Sequence, residues 1–226
     1  MCTVSYVSLS DGFVLTSNRD EDPNRKTSAP KSLALDSSVT IEAPIDQEKG
    51  GTWIAMEPAT KRVACLLNGA RTNHKRTPPY RKSRGKIVLD AFLHDSFEQY
   101  ALSIQLEGIE PFTLILADGA VLLEMVWDGT QKELSKLDSK KPWLWSSSTL
   151  YSSEEKRRKQ HIFDEYLKKH PISSENMWEL HGAVGRKDFI LERVYVKTVS
   201  ITQIKVNATN TSMRYQDRKV LEKVGL

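Results

Sequence analysis

The sequence predicts an α+β protein in which hairpins build antiparallel sheets and amphipathic helices cover them. Hairpin patterns stand at both ends and in the middle of the chain: residues 3–9 with 13–17 across Ser10-Asp11-Gly12, 112–117 with 121–127 across Asp118-Gly119, and 194–206 with 211–215 across Asn207-Ala208-Thr209-Asn210. Two pairs of helix patterns lie between them, over residues 83–105 and 152–181. The composition, 39% hydrophobic and 27% charged over 226 residues, is that of a globular chain able to bury a substantial core, expected as a single domain over 1–226.

Taken in order, the first hairpin is rich in β-branched and aromatic residues and returns the chain toward its start at Asn18-Arg19-Asp20-Glu21. Residues 22–44 contain Pro23, Pro30 and Pro44 among Ser, Lys and Asp, and read as a surface excursion with at most one short strand. Gly50-Gly51 releases a second strand pair, 52–57 and 62–68, and the apolar run Val63-Ala64-Cys65-Leu66-Leu67 predicts a central strand buried on both faces. Cys65 is expected in the core, as free Cys usually is. Helices are expected from Ser83, with Ile87, Val88, Ala91 and Phe92 on one face, and from Ser96, with Phe97, Tyr100, Ala101 and Ile104 on one face and Gly108 as its stop. After the central hairpin come short strands at 133–137 and 143–145. Ser152 and Glu155 form a capping box opening a helix that ends near Lys169, before His170-Pro171. Its basic residues 156–159 read as a solvated face, and a further helix is expected over 173–181. In the final strands, alternation over 199–204 predicts one half-exposed face.

Composition also excludes several function classes. No apolar run approaches the roughly 20 residues a spanning helix needs and no charged-then-apolar leader is present, so a cytoplasmic protein is expected. Two cysteines make no disulfide framework and no Cys/His ligand spacing occurs, so no metal site is expected. A formal charge of +4 is too mild to argue for nucleic acid.

The chemistry concentrates at the N-terminus. Cys2 stands directly behind Met1, and removal of Met1 places a thiol and a free α-amine on one residue. Such an amine, with a reference pKa of about 7.7 to 8.0, can take the thiol proton near neutral pH. The hairpin can bring Arg19, Asp20, Glu21 and Asp22 beside Cys2, where a fixed cation lowers the thiol pKa. Downstream, Arg71, Lys75, Arg76, Arg81, Lys82, Arg84 and Lys86 form the most basic stretch, with no acid among them; it is either a solvated loop or an anion-binding lip.

Met1-Cys2-Thr3 followed by Asn18-Arg19-Asp20-Glu21, with Gly50-Gly51-Thr52-Trp53, Leu67-Asn68-Gly69, Arg84-Gly85 and Ser146-Ser147 downstream, resembles the NRDE family, which includes the transport and Golgi organisation protein 2 of eukaryotes. The resemblance implies an N-terminal-nucleophile-hydrolase type of fold, a four-layer αββα sandwich of two antiparallel sheets covered by helices, with the first strand lying centrally. It also implies catalytic roles for Cys2 as nucleophile, Arg19 as thiolate partner, Asp20 or Asp22 as the group orienting the amine, and Asn68 as an oxyanion donor. Asn-Gly is by itself a common turn pair, so the turn reading of Asn68-Gly69 stands beside that role. Substrate contacts are assigned to Asn18, Trp53, Arg71, Arg81, Arg84 and Lys197. The expected function is a cysteine hydrolase acting on a linear amide or acyl compound and needing no cofactor. The competing class is a non-catalytic carrier on the same fold that binds haem or a similar amphipathic anion, since some family members are linked to haem trafficking.

Overall fold

A computed structural model describes residues 2–218. Strands alternate with helices in the order β1 (Cys2–Leu9), β2 (Gly12–Glu21), β3 (Thr27–Ala34), β4 (Thr40–Asp46), β5 (Ile54–Glu57), β6 (Arg62–Asn68), α1 (Arg84–Ala91), α2 (Phe97–Ser103), β7 (Phe112–Ala117) and β8 (Leu122–Trp127). They continue with β9 (Lys132–Lys136), β10 (Trp143–Ser146), α3 (Ser153–Lys169), α4 (Ser174–Leu180), β11 (Lys197–Asn207) and β12 (Thr211–Asp217). The described residues form two compact units, the first made of 2–25, Lys140–Ser146 and 150–218, the second of Lys26–Ser139 with Ser147–Thr149.

The first unit is built on a five-stranded antiparallel sheet in the order β10-β1-β2-β11-β12. The two-residue connection Ser10-Asp11 sets the β1–β2 register, so that Leu9 faces Gly12 and Cys2 faces Arg19. Glycine is required at position 12 because a Cβ there would lie 2.0 Å from the carbonyl oxygen of Val206 on β11. Strand β1 is interior but not central; β2, carrying the Asn18-Arg19-Asp20-Glu21 motif, is the middle strand. One face packs on α3 and α4 through Val7, Val14, Phe163, Tyr166, Met177, Leu180 and Phe189. Ser152 caps α3 with the reciprocal bonds the sequence predicts: its Oγ accepts from the Glu155 N–H (3.2 Å), and its own N–H donates to the Glu155 carboxylate (2.8 Å).

The second unit is a seven-stranded antiparallel sheet in the order β3-β4-β5-β6-β7-β8-β9. Its core joins Ala64, Leu66, Leu114, Leu116 and Met125 of the sheet to Ile87 and Val88 of α1, Phe92 just past it, and Phe97, Tyr100 and Ala101 of α2. Cys65 is fully buried, as expected. Arg62, itself buried, pairs with Glu57 (2.7 Å) and donates to the carbonyls of Phe92 (3.0 Å) and His94 (2.5 Å), satisfying orphan carbonyls just past α1.

Two expectations are corrected. Residues 22–44 hold most of a hairpin, β3 with β4, rather than an excursion with one short strand. Pro30 is tolerated because β3 is an edge strand and its register shifts between Ser28 and Lys31, so the missing N–H costs no regular ladder bond. The alternating stretch of β11 is not half exposed: Ser200, Thr202 and Gln203 are all buried, and Gln203 donates to Thr16 Oγ1 (2.8 Å) and the Ser174 carbonyl (2.9 Å). Each face of the strand mixes the two kinds, Ile201 with Gln203 on one side and Ser200 and Thr202 with Ile204 on the other, and both faces are buried.

Candidate active site at the Cys2 strand

The period of two along β2 divides its motif between the faces of the sheet. Arg19 pairs with Cys2 on one side and Ser200 on the other, so these three side chains share a face. Cys2 is fully buried and Arg19 is nearly so. Directly opposite residues of such a ladder hold their Cβ atoms about 4.5 to 5.5 Å apart, so the guanidinium has the thiol as its neighbour by register alone. Asn18 and Asp20 point to the opposite, helix-covered face. A bulge in β11 between Thr198 and Ser200 allows this: two residues apart, they would ordinarily share a face, but one bonds Asp20 and the other stands beside Arg19.

Asn18 is a clasp. Its Nδ2 donates to the carbonyls of His181 (2.9 Å) and Phe189 (3.0 Å), which fixes Oδ1 as the acceptor facing His181 Nδ1 (2.5 Å). That bond puts the imidazole proton on Nδ1, leaving Nε2 to accept from Ser5 Oγ (2.8 Å). The ring stands edge-on to Phe189, with centroids 5.2 Å apart. Fully buried and with both nitrogens occupied, His181 is held neutral; burial pushes its pKa down to about 3, and Lys159 adds to the effect. Asn18, expected to contact substrate, is thus committed to holding β2 against the chain on either side of residue 185.

Asp20 is the centre of a second buried network. Its carboxylate accepts from Tyr151 Oη (2.7 Å) and Thr198 Oγ1 (2.6 Å), while Lys159 of α3 donates to Thr3 Oγ1 (2.7 Å) and lies 3.9 Å from the centre of the Tyr151 ring. Burial pushes the Asp20 pKa up, against the pull of Lys159 and the two hydroxyls. Burial likewise pushes Lys159 down to about 8, against Asp20 and Glu155. Burial pushes the Cys2 thiol up, with the Asp20 charge adding and the Arg19 guanidinium opposing. The thiol in this structure is therefore held protonated. Asp22 is exposed and caps a turn, accepting from the Asn24 N–H (2.8 Å). Lys197 sits at the start of β11, opposite Glu21 in register.

The remaining candidates belong to the second unit. Asn68 ends β6, and Gly69 turns the chain with φ +85° while its N–H donates to the Pro111 carbonyl (2.9 Å). The Asn68 carbonyl accepts from Ser147 Oγ (2.6 Å), so the backbone of this Asn-Gly pair makes the turn that its residue types favour. Trp53 is buried. The basic stretch contains no acid of its own, but strands and helix nearby supply them. Arg71 forks onto Glu124 (3.0 and 2.6 Å) with Glu133 alongside, Lys82 pairs with Asp90 (2.6 Å), and Arg76 and Arg84 share Glu110 (2.9 and 3.1 Å). Arg81 donates to the carbonyls of Glu107 (3.1 Å) and Gln105 (2.8 Å).

Tyr151, Lys159, His181 and Thr198 were absent from the sequence-derived site. Lys159 corrects the solvated reading of residues 156–159: it is buried. Its signal was periodic, since Lys159 falls with Ile162, Phe163 and Tyr166 on the i, i+3, i+4, i+7 stripe where a packed helix ordinarily carries apolar residues. Among the described residues no group of three or more His, Cys, Asp or Glu side chains is placed to hold a metal ion, and no helix is long and apolar enough to cross a membrane.

Comparison with known proteins bears on the fold. The structure of penicillin V acylase from Agrobacterium tumefaciens superposes with a TM-score of 0.57 at 10% sequence identity, covering 97% of this chain and 86% of that one. Likeness at that identity shows the fold alone, the α+β N-terminal-nucleophile-hydrolase type with two antiparallel sheets that the sequence resemblance implies. No curated protein matches the sequence. The family model described as Transport and Golgi organisation 2 matches residues 1–217, spanning both units and the whole Cys2–Arg19 ladder, and the chain is a member of that family.

Proposed function

We propose that this protein is a cysteine hydrolase of linear amides or related acyl compounds, with Cys2 as the nucleophile once Met1 is removed. The observation that carries the reading is the register placing Cys2 directly opposite Arg19 on one face of an interior strand pair. Both side chains are buried, so the guanidinium acts on the thiol in a medium of low dielectric. With Met1 attached, burial and Asp20 keep the thiol protonated, which suits a dormant state. Freeing the α-amine supplies the missing base. The amine takes the thiol proton, the thiolate forms a C–S bond to the acyl carbon, the C–N bond breaks, and the proton passes to the leaving amine. Water then cleaves the thioester and releases the acid. Arg19 holds the thiolate, while Asn18 and Asp20 act from behind the sheet by fixing β2.

Intact-mass analysis of natively expressed protein tests the first step, and trapping with a panel of linear acyl amides tests the second. The expected results are loss of Met1, a covalent acyl adduct at Cys2, and turnover that Cys2→Ser slows while ligand affinity persists. Arg19→Ala is expected to slow alkylation of Cys2 by iodoacetamide at neutral pH. Retained Met1 together with haem binding that depends on Cys2, and no acyl adduct from any compound, would overturn the proposal in favour of a carrier.

A further inference from the structure

A cavity of about 360 Å³ opens on the helix side of the first unit, between the early turns of α3 and the segment 187–191. It lies behind the sheet, on the face opposite the Cys2 thiol. The early turns of α3 bring Glu155, Arg158 and Lys159 to its lining before the first apolar residue, Ile162. Breaking the local packing rule in this way is what functional sites do.

The lining divides by character. Ile162, Ile190, Leu191 and the Tyr151 ring supply an apolar side. The acids around the cavity are already engaged: Glu155 with Arg193 (2.7 Å) and with the Ser152 N–H (2.8 Å), and Asp188 with Arg186 (2.8 Å). Arg158 and Lys187 are exposed on the lining and have no ion-pair partner among the described residues. At the floor, Lys159 is buried beside Tyr151 and held by Thr3. The cavity therefore presents an apolar wall beneath an uncompensated positive rim, a size and mix ordinary for small-ligand sites.

We infer that this cavity binds a small carboxylate with a compact aliphatic body, its carboxylate held between Arg158 and Lys187 and its chain against Ile162, Ile190 and Leu191. A planar guanidinium and an ammonium together can hold a carboxylate by charge-assisted hydrogen bonds. The site stands apart from the proposed chemistry at Cys2, but it touches that strand pair: Tyr151 bonds Asp20, and Lys159 bonds Thr3, the neighbour of Cys2. Lys159, lowered by burial to about 8, still carries its proton for the most part at neutral pH and adds positive charge at the floor.

Isothermal titration with hexanoate, and with hexanol as the neutral probe, tests the inference on the full chain. Hexanoate is expected to bind at one site, with hexanol at least about tenfold weaker because it makes no charge-assisted bond. The double variant Arg158→Ala, Lys187→Ala keeps its fold, since both side chains are exposed, and is expected to lose about tenfold or more in hexanoate affinity. Ile190→Trp, which fills the apolar side, is expected to abolish binding of both probes, with circular dichroism confirming that the variant remains folded. Equal affinity for hexanoate and hexanol, unchanged hexanoate affinity in the double variant, or no binding at millimolar hexanoate would each overturn the assignment.

Discussion

Acidification from pH 7 to about pH 5 is expected to cost the folded protein about 2 kcal/mol through one side chain, His181. The imidazole is fully buried, with Nδ1 donating to Asn18 Oδ1 and Nε2 accepting from Ser5, and its pKa falls from an ordinary 6.5 to about 3. A depressed histidine pKa means that, between those two values, the unfolded chain binds more protons than the folded one. Stability is therefore fully present above the unfolded pKa and is lost as pH falls toward the folded one. The full shift is about 3.5 units, worth about 5 kcal/mol at 1.36 kcal/mol per unit, and the part realised by pH 5 is about 2 kcal/mol. Urea unfolding followed by tryptophan fluorescence reads this as a midpoint about 1 M lower at pH 5 than at pH 7, for a denaturant slope of about 2 kcal/mol/M. The comparison that isolates the residue is His181→Gln, which removes the titrating group. The variant is expected to be less stable at pH 7, because the clasp with Asn18 is imperfectly replaced, but to lose much less of its remaining stability on acidification. Asp20, whose pKa burial pushes up, contributes to the pH dependence of both proteins and cancels in the difference. If parent and His181→Gln lose the same stability between pH 7 and pH 5, the neutral buried imidazole is not what acid attacks and the reasoning is wrong.

Two further substitutions separate structural effects that look alike in sequence. Gly69→Ala places a Cβ 2.3 Å from Ser148 Oγ at φ +85°, and is expected to cost about 3 kcal/mol from strain and overlap together. Gly119→Ala, at φ +88° with nothing within 4 Å, should cost only the strain of about 1 kcal/mol, so equal losses in thermal or urea unfolding would refute the packing argument. Glu110→Gln removes a shielded charge, 9% exposed, that serves Arg84, Arg76 and His74, and is expected to cost about 2 kcal/mol in urea unfolding. Glu133→Gln, at 59% exposure beside a half-exposed Arg71, should stay within about 0.5 kcal/mol, and a comparable effect of the two would count against shielding as the cause.

The elements legible in the sequence are those that local chemistry dictates. The box Ser152 and Glu155, the run from Val63 to Leu67, the Asp118-Gly119 turn and the Ser83 and Ser96 starts each specify their element with residues close in the chain, and the structure places them there within a few residues. The pairing of Cys2 with Arg19 was also foreseeable, because a two-residue turn leaves the register of β1 and β2 little freedom. Tertiary structure alone decided which face each motif residue occupies and what lies against it. Asp20 becomes a buried carboxylate only because Tyr151 and Thr198 arrive from 131 and 178 residues away, and Asn18 becomes a clasp only because His181 and Phe189 do. Lys159 read as solvent-facing because a lysine in a basic run ordinarily is, and the basic stretch around Arg76 read as unpaired because Glu110 and Glu124 lie on strands or loops that sequence distance conceals. Hairpins, caps and helix stripes are set by interactions between near neighbours in the chain. Burial, pKa and hydrogen-bond partnership depend on groups far apart in sequence, which only the folded chain brings together.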